Sequence, residues 1–295
     1  MSRPWVLAAS AEQATAEERQ RLALELEARI AGRPDRVLLS TCHRVEVYGL
    51  GEPDGIPEGL VLRQDSAAVE HLFRVAAGLE SAVVGEDEVL HQVRDALRVA
   101  REQRAVDGRL QRLFEVAAAT GRRARAGRAA AGAGLAARAV GWLAERSSLP
   151  GRPVLVAGAG RMGSALAHAA TGAGATLIIA SRDARNARRL AAVYGGRGVD
   201  LGEGAELAAR SAAVAVALAG VWEELARPAE LPPIADISAP SAVPATVRAG
   251  LNGSFLGIDE LFSDRPPPPR GYSEAAGRVV VAKTAEYLAW LEARS

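Results

Sequence analysis

The stretch VLVAGAGRMGSALA, Val154 to Ala167, restricts the fold more than any other part of the chain. A short apolar run passes directly into Gly158, Gly160 and Gly163 in the order G-x-G-x-x-G, and an alanine-rich segment of helical character comes next. The first glycine permits a tight turn, the second lets an anionic group approach bare backbone, and the third lets the helix lie close against the strand. The helix N-terminus then offers unpaired N–H groups and a partial positive charge. This spacing predicts a cradle for the pyrophosphate of a dinucleotide, built from Gly158, Gly160, Arg161, Met162 and Gly163. A glycine turn in an unliganded sheet is the bland alternative, and the strand-turn-helix setting argues against it.

About 20 residues further on, where an acidic residue would hold the ribose hydroxyls of NAD, the chain reads IIASRDARNARR, with Ser181 and Arg182 at the end of the next apolar run. An arginine there suits a 2′-phosphate, so NADPH is the expected cofactor; the competing reading of Arg182 is an ordinary solvated side chain. Strand candidates recur at Thr176–Ala180, Ala213–Leu218, Ile234–Ile237 and Ser254–Gly257 with helical or loop segments between them. That alternation predicts a mostly parallel, doubly wound sheet of Rossmann type.

The chain of 295 residues is long enough for two domains. A composition of 49% hydrophobic and 24% charged residues excludes wholesale disorder, and a formal net charge of +1 does not require a nucleic-acid partner, though it permits a local basic face. Only Lys283 among the 36 basic residues is a lysine, a bias that by itself carries no functional weight. No apolar leader opens the sequence and no run of about 18 uncharged apolar residues occurs later, so a cytoplasmic protein without membrane association is expected. Breaks at Pro150 to Pro153 and in SDRPPPPRGYSE divide the chain into three. These are an N-terminal α+β domain over 1–148, a nucleotide domain over 149–264, and a proline-rich linker with a single helix over 265–295. Helices are expected at Thr15–Arg29, Ser66–Val75, Glu86–Gln103 and Ser273–Arg294, with a long helical region from Leu110 to Arg146.

A single cysteine, Cys42, lies in LLSTCHRVEVYG, where a predicted strand, Arg36–Leu39, meets a turn. A lone cysteine is a buried apolar filler, a reactive thiol or an intermolecular link. If the second domain supplies hydride, the first should hold the group to be reduced. A thiolate can capture an acyl group as a thioester, which accepts hydride more readily than a carboxylate does. Arg44 could grip a carboxylate bidentately.

Taken in order and spacing, LLSTCHRVEVYG, HLFRVAAGLESAVVGEDEVLHQVRDAL and VLVAGAGRMGSALA resemble the signatures of the glutamyl-tRNA reductase family. The resemblance covers most of Arg36 to Ile258. It implies an N-terminal catalytic domain, an NADPH-binding domain, and conversion of glutamyl-tRNA to glutamate-1-semialdehyde at the start of tetrapyrrole biosynthesis, with an aminomutase acting next. By the same resemblance Cys42 is the nucleophile. His71 is a catalytic-pocket residue, and Thr41, Arg44, Ser81, Glu86 and Gln92 bind the substrate. The plainer alternatives are a satisfied, partly buried histidine at His71, a helix cap at Ser81 and a helix N-terminal charge at Glu86.

The chain departs from the family pattern in several places. LAASAEQATAEERQ lacks the histidine that helps form the glutamate pocket, His43 stands where asparagine is usual, and Glu88 stands where glutamine is common. AAAGAGLAARAV and AVALAGVWEE lack the usual small polar residues, and only the beginning of the long spinal helix is present, which points to a monomer or a dimer of another kind. Two alternatives therefore stand beside the reductase: a divergent enzyme acting on another activated acyl group, and a catalytically silent relative that binds or regulates.

Overall fold

The computed structural model describes residues 3–41, 43–81, 88–126, 134–263 and 271–294. Cys42 and Glu86 lie outside the described residues. The chain divides into two compact units, Met1–Gly132 with Arg265–Ser295, and Ala133–Asp264.

The first unit contains β1 (Pro4–Ser10), α1 (Ala16–Ile30), β2 (Arg36–Ser40), β3 (Arg44–Leu50), β4 (Val61–Gln64), α2 (Asp65–Ala76), α3 (Glu88–Gln103) and α4 (Gly108–Arg125). Its sheet has the order β2-β3-β1-β4 and is antiparallel throughout. Side chains alternate across a strand, and here both faces are covered. Trp5, Leu7, Ala9, Val45 and Val47 meet Leu22, Leu26 and Ile30 of α1. Val6, Ala8, Val37, Leu39, Tyr48 and Leu50 meet apolar residues of α2, α3 and α4. Thr15 caps α1 by accepting from the Glu18 backbone N–H, while Glu18 reaches back to the Thr15 backbone N–H at 2.8 Å.

The second unit contains α5 (Leu135–Arg146), β5 (Pro153–Ala157), α6 (Arg161–Gly172), β6 (Thr176–Ala180), α7 (Ala184–Val193), β7 (Arg197–Val199), α8 (Leu201–Ala208), β8 (Ala213–Val216), β9 (Ile234–Asp236), α9 (Ala245–Gly250), β10 (Phe255–Leu256) and α10 (Ile258–Ser263). Every pairing in it is parallel, in the order β10-β9-β8-β5-β6-β7. This is the expected doubly wound sheet, with its switch point between β5 and β8, where ligands of such sheets bind.

Two boundaries differ from the sequence expectation. The helical region from Leu110 to Arg146 is two helices in different units, because α5 packs on α6 and β9 and so joins the second unit well before residue 149. The last helix, α11 (Tyr272–Glu292), is not a separate appendage, because it folds back on α2 and α4 of the first unit. Its tyrosines explain why. Tyr272 Oη donates to the Ala77 carbonyl at 2.7 Å, Tyr287 Oη donates to the Arg109 carbonyl at 3.0 Å, and the Tyr287 ring meets Phe73 edge-on at 6.3 Å. Among the described residues no helix is long and apolar enough to cross a membrane.

Candidate active site

The β2-β3 hairpin carries the cysteine turn. Thr41 N–H donates to the Arg44 carbonyl at 2.9 Å, which closes the connection between the two strands. Thr41 Oγ1 accepts from the backbone N–H of His43 at 3.1 Å and of Arg44 at 3.2 Å, so the hydroxyl holds the backbone on the far side of the connection. The His43 carbonyl accepts from Ala11 N–H at 2.9 Å, and the His43 side chain is buried. The segment in which the family histidine is missing thus braces the turn through its backbone.

Because β3 alternates, Arg44, Glu46 and Tyr48 share the face opposite Val45 and Val47. All three are buried there, and α2 brings His71 to them. Glu46 is the hub. Its Oε1 accepts from Arg44 at 3.1 Å and lies 2.9 Å from His71 Nε2, while its Oε2 accepts from Tyr48 Oη at 2.6 Å. Burial by itself would raise the Glu46 carboxyl; the charges of His71 and Arg44, with hydrogen bonds from His71 and Tyr48, outweigh it and hold the group at about 2. Burial, and then the carboxylate beside it, push the Tyr48 phenol well up, so Tyr48 stays a proton donor.

Arg44 is not an open fork for a ligand, as its sequence position had suggested. One nitrogen is engaged by Glu46 and another donates to the carbonyl of Glu80, tying the turn to the segment that leads into buried Ser81. Three of the five guanidinium N–H groups are left for other partners. Arg74 Nε pairs with Glu80 at 2.5 Å on the other side; burial raises the Glu80 carboxyl, but Arg74 lowers it further. The structure therefore joins Arg44 and His71 at one carboxylate, with Thr41 tied to the Arg44 backbone and Ser81 next in sequence to the Glu80 carbonyl that Arg44 binds. Gln92 is elsewhere, on a groove of about 420 Å³ with Leu24, Leu38 and Ser40, and among the described residues it makes no hydrogen bond to the Glu46 network.

Glu46 and Tyr48 escaped the sequence reading. The signal was present, since charged or polar residues at positions i, i+2 and i+4 of a strand whose other face is Val-Val must all enter one layer.

The glycine turn of the second unit is shaped by steric exclusion. Gly158 has φ +121°, and a Cβ there would enter the carbonyl oxygen of Ala217, just after β8. A Cβ on Gly163 would enter the carbonyl of Gly158. At Gly160, the N-cap of α6, a Cβ would meet nothing within 4 Å, and no side chain caps the helix. An open, uncapped helix N-terminus next to exposed backbone fits a pyrophosphate. At the end of β6, Asp183 accepts from Arg185 N–H at 2.9 Å as the cap of α7, which leaves Ser181 and exposed Arg182 for a 2′-phosphate. These residues fit NADPH. At the end of β9, buried Asp236 accepts from Ser241 Oγ at 2.7 Å and from the backbone of Ser238, Ala242 and Val243; burial raises its carboxyl. Ser238 Oγ in turn accepts from Leu218 N–H at 2.9 Å, so a serine from the β9 loop serves the ALAG segment that lacks polar side chains.

Comparison with known proteins agrees with this geometry. The family model of the glutamyl-tRNA(Glu) reductase N-terminal domain matches residues 7–127, and that of the coenzyme F420-dependent NADP oxidoreductases matches residues 153–226. Glutamyl-tRNA reductase of Rubrobacter xylanophilus is 36% identical, with 88% of this chain and 69% of the relative covered. That of Thermus thermophilus is 34% identical, with 83% and 69% covered. The solved structure of glutamyl-tRNA reductase from Methanopyrus kandleri aligns with 99% of this chain and 81% of its own at 30% identity and TM-score 0.53. With a buried carboxylate behind its cysteine hairpin and an NADP-binding Rossmann unit after it, the chain belongs to the glutamyl-tRNA reductase family of oxidoreductases.

Proposed function

We propose that this chain reduces glutamyl-tRNA to glutamate-1-semialdehyde through a thioester on Cys42. The observation that carries this reading is the Glu46 network, which gathers Arg44 and His71, 27 residues apart in sequence, behind the turn that contains the cysteine. The Cys42 thiolate attacks the ester carbonyl of the aminoacyl end; the carbon–sulfur bond forms, and the ribose oxygen of the tRNA leaves and takes up a proton. His71 is held at Nε2 by Glu46, which leaves Nδ1 as the nitrogen for proton transfer, an arrangement of base and orienting carboxylate. Arg44 keeps the hairpin and the Glu80–Ser81 segment in register, and so positions Ser81 as a pocket wall.

Gly158, Gly160, Arg161, Met162 and Gly163 would hold the pyrophosphate of NADPH, with Ser181 and Arg182 on its 2′-phosphate. Bound there, NADPH supplies a hydride, the two electrons that separate a thioester from an aldehyde and a free thiolate. The α-amino aldehyde released is the kind of substrate an aminomutase takes.

The deciding experiment compares the chain with its Cys42→Ser variant on glutamyl-tRNA and NADPH. The variant should form no semialdehyde, accumulate no thioester, and titrate NADPH as the parent does. Full activity in the variant removes the mechanism. A second reading, another aminoacyl or acyl donor, is favoured by the Ser10–Ala14 turn. Where the family has a histidine, this turn closes on itself, with Gln13 Oε1 accepting from Ser10 N–H at 3.0 Å. Faster aldehyde formation from a non-glutamyl donor would select it.

A further inference from the structure

We propose that the groove between α3 and α4 docks the phosphate backbone of RNA, the tRNA arm of the substrate lying along its arginines. The inference rests on the substrate reading above, and it starts from the placement of charge in a chain whose total is only +1. On α3, Arg94, Arg98 and Arg101 succeed one another at i, i+4 and i+7, so they form one stripe along the helix. Arg122 of α4 faces them across a groove of about 560 Å³, whose floor is buried Leu97, Phe114 and Ala118.

Two carboxylates also line the groove; Glu102 is in an ion pair, whereas Glu115 is bound only by a neutral amide and keeps its charge. Glu102 is held by Arg98 at 2.9 Å, and Glu115 accepts from Gln111 at 2.9 Å. Arg98, which also reaches Asp95 at 3.3 Å, is thereby neutralised. Arg94, Arg101 and Arg122 make no ion pair among the described residues, and against the one carboxylate that keeps its charge, Glu115, they leave the groove lining positive by two charges. A linear stripe of guanidiniums matches a strand of phosphates, each of which can accept two N–H bonds from one fork. From Arg94 to Arg101 the stripe runs about 10 Å along the axis, enough to meet consecutive phosphates. Gln92, on the groove beside Ser40, lies on the other flank of the same helix, roughly one helix diameter of 10 Å away. An RNA arm whose aminoacyl end reached the cysteine hairpin would span that width.

The test uses the full chain and a fluorescein-labelled, unacylated tRNA(Glu) transcript, with binding read by anisotropy from 50 to 200 mM salt. Replacing the three arginines together (Arg94→Gln, Arg101→Gln, Arg122→Gln) should weaken binding by tenfold or more at low salt. It should also lower the slope of log affinity against log salt by roughly two to three. Unchanged far-ultraviolet circular dichroism and an unchanged denaturant midpoint of the first unit show that the same variant is folded. Equal affinity and slope in the variant and the parent overturn the groove, as does displacement of the tRNA by poly-glutamate as readily as by unlabelled tRNA. Turnover keeps the two proposals apart. If the parent reduces glutamyl-tRNA while the triple variant binds RNA normally, the groove fails and the reductase reading stands. If the variant loses RNA affinity while the parent yields no semialdehyde from glutamyl-tRNA, the groove stands and the substrate reading fails.

Discussion

The turn at 41–44 joins two strands and the turn at 158–163 joins a strand to a helix, and the two are made rigid by opposite means. Around the first, side chains hold the backbone: Thr41 binds it from above, while Glu46 gathers Arg44, His71 and Tyr48 from below. Around the second, the absence of side chains sets the shape, since carbonyl oxygens occupy the places where a Cβ would stand on Gly158 and Gly163. Under the proposed function the difference matches the chemistry each would meet. A thiol that captured an acyl group would need fixed charges and proton carriers, which act strongly when held in a dry layer. A pyrophosphate brings its own charge and needs only bare N–H groups and room.

The comparison can be broken most forcefully at Glu46. Glu46→Gln leaves Arg44 buried beside a neutral amide, and loss of one partner of a buried pair costs about 3 to 5 kcal/mol. Denaturant unfolding of the first unit should show that loss, with NADPH titration unaffected. An unchanged midpoint would mean that the carboxylate does not organise the hairpin.

Acid should act on the same group more gently. Glu46 titrates at about 2 in the folded chain against 4.5 for an unperturbed glutamate. A depressed carboxylate stabilises fully above the unfolded value, and that stability is lost as pH falls from 4.5 towards 2. The loss is about 3 kcal/mol at most. Unfolding of the parent should steepen across that window, and Glu46→Gln should flatten the curve.

At the glycine turn the same substitution should give two different results. Gly158→Ala places a side chain at φ +121° and against the Ala217 carbonyl, so it should destabilise the second unit by about 2 kcal/mol or more. Gly160→Ala meets open space and should change stability by less than about 1 kcal/mol, yet it should weaken NADPH binding about tenfold, because the methyl group stands where the phosphate approaches. Thermal melts and fluorescence titration of the two variants separate the effects. Equal behaviour would mean that the three glycines have no separate tasks.

Much of the second unit was legible in the sequence because its signals are local. Gly158, Gly160 and Gly163 are fixed by contacts within one strand-turn-helix, and the apolar runs at Thr176–Ala180 and Ala213–Leu218 are largely buried, as parallel strands covered on both faces are. The first unit was less legible. Neither β1, the inner strand that pairs with both β3 and β4, nor the short β4 was anticipated, since PWVLAAS and VLRQ show no clear alternation. Arg44 looked like an open substrate fork, whereas its neighbours turn it inward. That outcome depends on Glu80, 36 residues away, and no spacing rule reports it.

Sequence alone determined the parallel strands of the second unit, the nucleotide loop and the segment that carries the thiol, because each is written in neighbouring residues whose backbone preferences and periodicity act over one or two turns of chain. Only the tertiary structure decided that Glu46 is the hub, that the last helix returns to the first unit, and which arginines of α3 and α4 make no ion pair among the described residues. Those outcomes depend on which distant side chains share a dry layer or a groove. Coulomb energy and desolvation are properties of that neighbourhood and not of the residue.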